Sequence, residues 1–274
     1  MKLSVVDFSA LNEEGGVNFG GTPNISYGET FGLAKWLTLD LKELELEAGK
    51  TAEITATINN DDKLRPGGHY GAIMVTLESA DGSTPNTIDT RQTLSALVFA
   101  RKMGGEKYDL KLDTVSHDGN MFKLPSKVRL RFFNPGNVHV VPRGTVKIVR
   151  DSDKRIVAEG TINEDSNFML PETYRQLFVN LRSIEAIAPM SPSKYHLVTE
   201  YRYDGLDKVA SRAQPLSYTN PKFLLLSTTV IAGLSAAIFL FIYTRKKRGK
   251  SAQKFEIKTP QKPEPKKIMD ITKK

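Results

Sequence analysis

The chain of 274 residues has no cysteine and one tryptophan. Without cysteine there is no disulfide, no thiolate nucleophile and no cysteine-ligated metal, and the redox character of its compartment stays open. Histidine is nearly as scarce. His69, His117, His139 and His196 fall in no H-x-H or H-x-x-x-H spacing, so no converging set of metal ligands can be read from them. There is also no G-x-S-x-G elbow, no EF-hand loop and no phosphate-cradling glycine loop ahead of a helix. Acidic pairs such as Asp61-Asp62 and Asp151/Asp153 read as solvated turns. These absences predict no catalytic residue, no cofactor and no metal. A non-enzymatic protein is expected, with a membrane-anchored hydrolase as the remote alternative.

An excess of charge is missing where a nucleic-acid binder would need it. The formal net charge is +8, but residues 245–274 hold 12 Lys/Arg and 3 Asp/Glu, leaving 27 basic and 28 acidic groups elsewhere. A near-neutral body with a basic tail argues against phosphate-backbone binding, so no nucleic-acid partner is expected.

What the sequence does contain is strand pattern. "WLTLDL" (36–41) sets Leu37, Leu39 and Leu41 on one face, and "ELELE" (43–47) sets Leu44 and Leu46 against glutamates. "AEITATIN" (52–59) points Ile54, Ala56 and Ile58 inward, whereas "AIMVTLES" (72–79) and "TLSALVFA" (93–100) are apolar enough for central strands. Turn compositions separate them. "RKMGGEK" interrupts the pattern, with Gly104-Gly105 as a hinge, and alternation then resumes in "YDLKLDTV", "KVRLRFF", "TVKIV", "RIVAEGTIN", "YRQLFVNL" and "KYHLVTEYRY". In the last of these, Tyr195, Leu197, Tyr201 and Tyr203 share a face opposite His196 and Arg202. The pattern predicts two antiparallel sandwiches, over 1–103 and 108–218, joined by a hinge at 104–107.

Residues 223–243 carry no charge over 21 positions. At about 1.5 Å per residue that is roughly 30 Å, enough to span a hydrocarbon core. Arg245, Lys246, Lys247 and Arg248 follow and set the topology, placing the C-terminus in the cytoplasm and the sandwiches outside the cell membrane. Gly233 and Ala237 make a small-xxx-small pair, a weak helix-packing signal. Residues 244–274 form a Lys/Pro-rich basic tail, expected to be disordered. The first residues, "MKLSVVDFSALNEEGG", show no basic n-region followed by a long apolar stretch, so either the chain begins downstream of its true start or it is tail-anchored with cytosolic domains.

Two loops are candidates for function. In "RPGGHYGAI" (65–73), Gly67-Gly68 could bring backbone amides to a ligand touched by Arg65, His69 and Tyr70; the alternative is a Pro-Gly-Gly turn with positive φ feeding a strand. In "RFFNPGNVHVVPRG" (131–144), Asn134-Pro135-Gly136-Asn137 reads as a type II turn. His139 then points away from Val138 and Val140, toward solvent or a groove between domains. "LPETY" (170–174) resembles a sortase signal but has Tyr where Gly is required, and reads as the start of a strand.

The order of these motifs resembles the WxL-interacting protein family. The Trp36 strand, the Leu44/Leu46 segment, Pro-Gly-Gly-His-Tyr, Asn-Pro-Gly-Asn-x-His, a Leu-Pro segment, one membrane helix and a basic tail follow in sequence. The resemblance implies an all-β fold of two tandem Ig-like antiparallel β-sandwiches followed by one transmembrane α-helix and a disordered tail. It implies a peptidoglycan-binding first domain, lacking its opening strands here, and a partner-binding second domain. The resemblance thereby favours a chain that begins downstream of its true start over a tail anchor. The function expected from it is surface binding or adhesion, holding cell-wall glycan or another surface protein. An assembly module that pairs with an envelope protein without touching glycan is the alternative.

Overall fold

The computed structural model describes residues 1–20, 25–77, 92–185 and 194–252. They fall into two units, residues 1–220 and 221 onward. The first is built mainly of antiparallel strands; the described residues of the second form one helix, apolar over most of its length.

In the first part of the β unit, β1 (Lys2–Ala10) lies between β2 (Val17–Phe19) and β5 (Gly67–Leu77), and β6 (Gln92–Lys102) closes the sheet beyond β5. Leu3 and Val5 of β1 fall on one face, Val6, Phe8 and Ala10 on the other. Phe8 joins Tyr70 and Ala72 of β5 in a core completed by Phe31 of α1 (Ile25–Phe31) and by Leu170. The strand reading, which begins at Trp36, misses β1 and α1. Trp36 itself ends a 3-10 turn, Ala34–Trp36, ahead of β3 (Leu37–Leu39). Beside β3 lies β4 (Ala56–Ile58), a short hairpin partner whose three residues are exposed, so Ala56 and Ile58 do not point inward. The "ELELE" segment forms no ladder. It hydrogen-bonds the start of β1, with Leu44 N donating to Met1 O at 3.0 Å and Leu3 N to Lys42 O at 2.7 Å. "TLSALVFA", apolar enough for a central strand, is the edge strand β6.

The second part follows the predicted alternation closely. A sheet of β11 (Tyr174–Asn180), β8 (Lys127–Phe133) and β7 (Lys111–His117) faces a five-stranded sheet. The latter runs β12 (Arg182–Ser183), β10 (Ile156–Ile162), β9 (Arg143–Arg150), β13 (Tyr195–Arg202), β14 (Ala210–Leu216). Val128, Leu130 and Phe132 point inward from β8 to meet Val146 and Ile148 of β9 and Tyr195, Leu197 and Tyr201 of β13. Full burial of side chains of this size is worth about 1.5–3 kcal/mol each. "LPETY" leads into β11 as read, with Glu172 at φ 55 making the corner.

The helix α2 (Pro221–Ala252) begins on proline, whose missing N–H costs nothing in a first turn. Within residues 221–246 an 18-residue stretch has a mean hydropathy of 2.2, which makes this helix long and apolar enough to cross a membrane. Its hydroxyls bond back to the helix: Thr228 Oγ1 to Leu225 O at 2.8 Å, Thr229 Oγ1 to Leu226 O at 2.8 Å and Ser235 Oγ to Ile231 O at 2.8 Å. In hydrocarbon no water could satisfy them. The helix continues through Arg245 and Lys246 to Ala252, so the basic cluster rides on it instead of opening the tail. The disordered-tail expectation for 253–274 lies outside the described residues.

Candidate ligand-binding surface

The loops singled out in the sequence meet each other. Gly67, at φ +127, turns the chain into β5, and Gly68 N donates to Asn137 O at 2.8 Å. A side chain at Gly68 would collide with the Tyr70 hydroxyl and crowd Val138. The close backbone approach is therefore real, but what approaches is the Asn-Pro-Gly-Asn turn. Tyr70 is fully buried, and its hydroxyl accepts from His139 N at 2.7 Å. His69 is 3% exposed and donates through Nε2 to Arg65 O at 2.8 Å. Of the three expected contact residues only Arg65 lies at the surface. His139 takes the groove alternative: its ring packs 5.1 Å from Phe99 and 5.8 Å from Tyr70, centroid to centroid, and burial pushes its pKa down. Burial likewise pushes the Tyr70 hydroxyl up.

The turn itself differs from the type II expectation, since Gly136 is not in the positive-φ region. Its N–H donates to Asn134 Oδ1 at 2.9 Å, and a Cβ there would strike the Lys107 carbonyl. Glycine is needed for close packing, not for handedness. Asn134 is completely buried and donates from Nδ2 to Val138 O at 2.9 Å and Met169 O at 3.0 Å. Asn137 receives Lys107 N at 2.6 Å and donates to Gly105 O at 2.9 Å. The residues read as a hinge are thus tied to this turn.

A second contact joins the early strands to β8 and β11. Glu13, in the β1–β2 loop, receives Arg131 Nε at 2.8 Å, Arg131 Nη2 at 2.6 Å and Gln176 Nε2 at 2.9 Å. These bonds hold its carboxyl at a pKa of about 2 and push the Arg131 guanidinium up. Arg131 also reaches Asp113 at 2.7 Å and lies 3.7 Å from the centroid of Tyr174.

Next to this contact opens a polar cleft of about 280 Å³. Its floor is β11, with Arg175, Gln176 and Phe178; its walls are Glu14 and the turn over 163–167. The turn is built by Asn163 and Ser166, at φ 59 and 53. Asn163 Nδ2 donates to Pro142 O at 3.0 Å and Asn167 O at 2.8 Å. Arg175 donates to Phe168 O at 2.8 Å and Asn167 Oδ1 at 3.1 Å, and burial lowers its pKa. That leaves the carboxylates of Glu14, Glu164 and Asp165 facing the cleft without an ion-pair partner among the described residues. Phe178, 46% exposed, and Tyr174, 36% exposed, stand on the same outward face of β11. Such a surface offers hydroxyl-accepting oxygens, amides and an aromatic face. The sequence signal for it was an aromatic pair at positions i and i+4 of an alternating strand, pointing away from Leu177 and Val179.

The acidic turns are locally satisfied. Asp153 pairs with Arg150 at 3.2 Å and Asp151 with His196 at 2.6 Å. Among the described residues no group of three or more His, Asp or Glu is placed to hold a metal ion.

No family model and no curated protein matches the chain. A solved chain from the study titled "Chaperone-tip adhesin complex is vital for synergistic activation of CFA/I fimbriae biogenesis" is similar at 14% identity, with a TM-score of 0.38. The match covers 78% of this chain and 83% of that one.

Proposed function

We propose that this is a membrane-anchored, non-enzymatic surface protein that binds a glycan segment in the cleft over β11. The observation that carries the reading is the placement of three carboxylates without an ion-pair partner among the described residues, Glu14, Glu164 and Asp165, in one cleft with the partly exposed ring of Phe178, the Arg175 guanidinium leaving the lining net negative. Carboxylates and amides hydrogen-bond sugar hydroxyls and amino groups, and an aromatic face covers the C–H side of a pyranose. The negative charge selects neutral or amino-bearing sugars over anionic ones, because an approaching carboxylate would meet like charge. The motif order shared with WxL-interacting proteins supports a surface location, and the cluster Arg245, Lys246, Lys247, Arg248 supports the outside placement of the β unit.

The test is retention of the full chain, in detergent micelles, on insoluble peptidoglycan before and after chemical N-deacetylation. Retention should rise on the deacetylated material and drop with Phe178→Ala and Asp165→Asn. Absence of retention on both at low salt would overturn the glycan reading. It would leave the other reading, an assembly module pairing with an envelope protein, which the edge of β6, without a backbone partner among the described residues, favours.

A further inference from the structure

Sheet edges expose rows of backbone N–H and C=O groups, and folded proteins guard them with short strands, bulges, charge or proline. Most edges here are guarded in these ways. The edge strands β2, β3, β4 and β12 have three residues or fewer. At β7, which carries Lys111 and Asp113, the register shifts between Leu112 and Thr114. Arg212 and Pro215 sit in β14. Along β11 the outer edge is engaged by the β1–β2 loop, with Gln176 N donating to Glu13 O at 2.6 Å.

β6 is guarded only at its end, by Arg101 and Lys102. It is 11 residues long, runs beside β5 without a register shift, and carries no charge and no proline from Gln92 to Ala100. Its far side has no backbone partner among the described residues. Leu94 is 67% exposed, and Ala96 on the same face is exposed too. On that face they continue Ile73 and Val75 of β5, both half-buried. A long, straight, uncharged and apolar edge is a template for one more strand.

We infer that the occupant is β6 of a second copy of this chain, paired antiparallel across a two-fold axis at Ala96. In that register Leu94 stands opposite the second copy's Val98, twice over, and Ser95 opposite its Leu97. Aliphatic cross-strand pairs of this kind stabilise a sheet. Nine uncharged residues on each side oppose no like charges, and the near neutrality of the chain before its tail leaves no field to keep two copies apart. The interface is isologous and therefore closes at two copies, which turns an aggregation-prone edge into a buried one. The resulting sheet has eight strands.

Because the chain has no cysteine, single introduced thiols report the pairing without background. The full chain in micelles should be dimeric by light scattering, and Ala96→Cys should oxidise to a covalent dimer. Leu94→Cys and Val98→Cys chains, mixed, should join to each other in preference to themselves. Ala96→Lys, at an exposed position, should lose the dimer while keeping the wild-type circular dichroism. A monomeric wild-type chain overturns the inference. So does a dimer that survives Ala96→Lys, above all one lost on Gly233→Ile, since the pairing would then lie in the helix. A wild-type dimer in which Thr57→Cys, on exposed β4, cross-links as fast as Ala96→Cys overturns it as well. Peptidoglycan retention is read separately, so failure here leaves the cleft reading untouched.

Discussion

A single buried amide, that of Asn134, ties the turn over 134–138 to the stretch 169–173 that leads into β11. Its Nδ2 reaches Val138 O and Met169 O, its Oδ1 receives Gly136 N, and its backbone pairs with Thr173 O and Glu172 N. Asn134→Ala would strand the Gly136 N–H and the Val138 carbonyl away from water. Each such loss costs about 1–3 kcal/mol. The expected effect is a loss of about 2–3 kcal/mol, read as a lower urea midpoint with an unchanged slope. Nothing local in the sequence distinguishes this asparagine from a solvated turn residue. Tyr70 and His69 show the same limit from the other side: aromatic and imidazole groups beside two glycines look like a binding loop, and the fold turns them inward.

At the scale of elements, the β1–β2 loop acts as a clasp on β8 and β11 through Glu13. The folded state holds the Glu13 carboxyl at about 2, below its ordinary 4.5. A carboxyl depressed on folding contributes stability above its unfolded value, and that contribution is lost as pH falls from 4.5 through 2. Glu13→Gln should therefore flatten the fall in urea midpoint over that window and leave the part above pH 6 nearly parallel to wild type. An unchanged acid limb would show that the clasp is idle. The pair is partly solvated, so screening keeps its contribution modest and salt should shrink the difference. Elements were legible in the sequence wherever one face meets the core and the other water. β8 and β13 keep strict period-2 alternation, as do the inward tyrosines of β13, and their faces came out correctly. β1 is hard to read as a strand because its apolar residues switch faces between Val5 and Val6. β4 was given an inward face because alternation tells that one face differs, not that a second sheet covers it. β6 reads as central because apolar content records burial in any assembly, including one between copies. The cleft over β11 was the least legible feature, since Glu14 comes to it from a loop some 150 positions earlier in the chain.

For the whole molecule, the two sheet assemblies of residues 1–220 form one compact unit. The seam between them holds Gly68–Asn137, Tyr70–His139 and Glu13–Arg131, together with the rings of Phe8, Phe99 and Phe168. Unfolding followed by the fluorescence of Trp36, which lies in the first part, should coincide with the loss of strand circular dichroism from both. Asn137→Ala removes the side-chain bonds to Lys107 and Gly105 and weakens the seam without touching either core. The two signals should then separate, with Trp36 changing at the lower temperature. Coincident curves in the variant would mean the aromatic contacts suffice.

The seam also decides how the molecule would respond to being pulled. Held at its C-terminal end by a helix in the membrane and loaded through its first strands, the chain would pass tension through the loop 103–107. That loop is laced to Asn137, and the Glu13 and Tyr70 contacts bridge the same two bodies in parallel with it. Bonds sharing a load in parallel must yield together, whereas a free linker would simply extend. Within residues 1–220 the two sheet assemblies would then resist extension as one body.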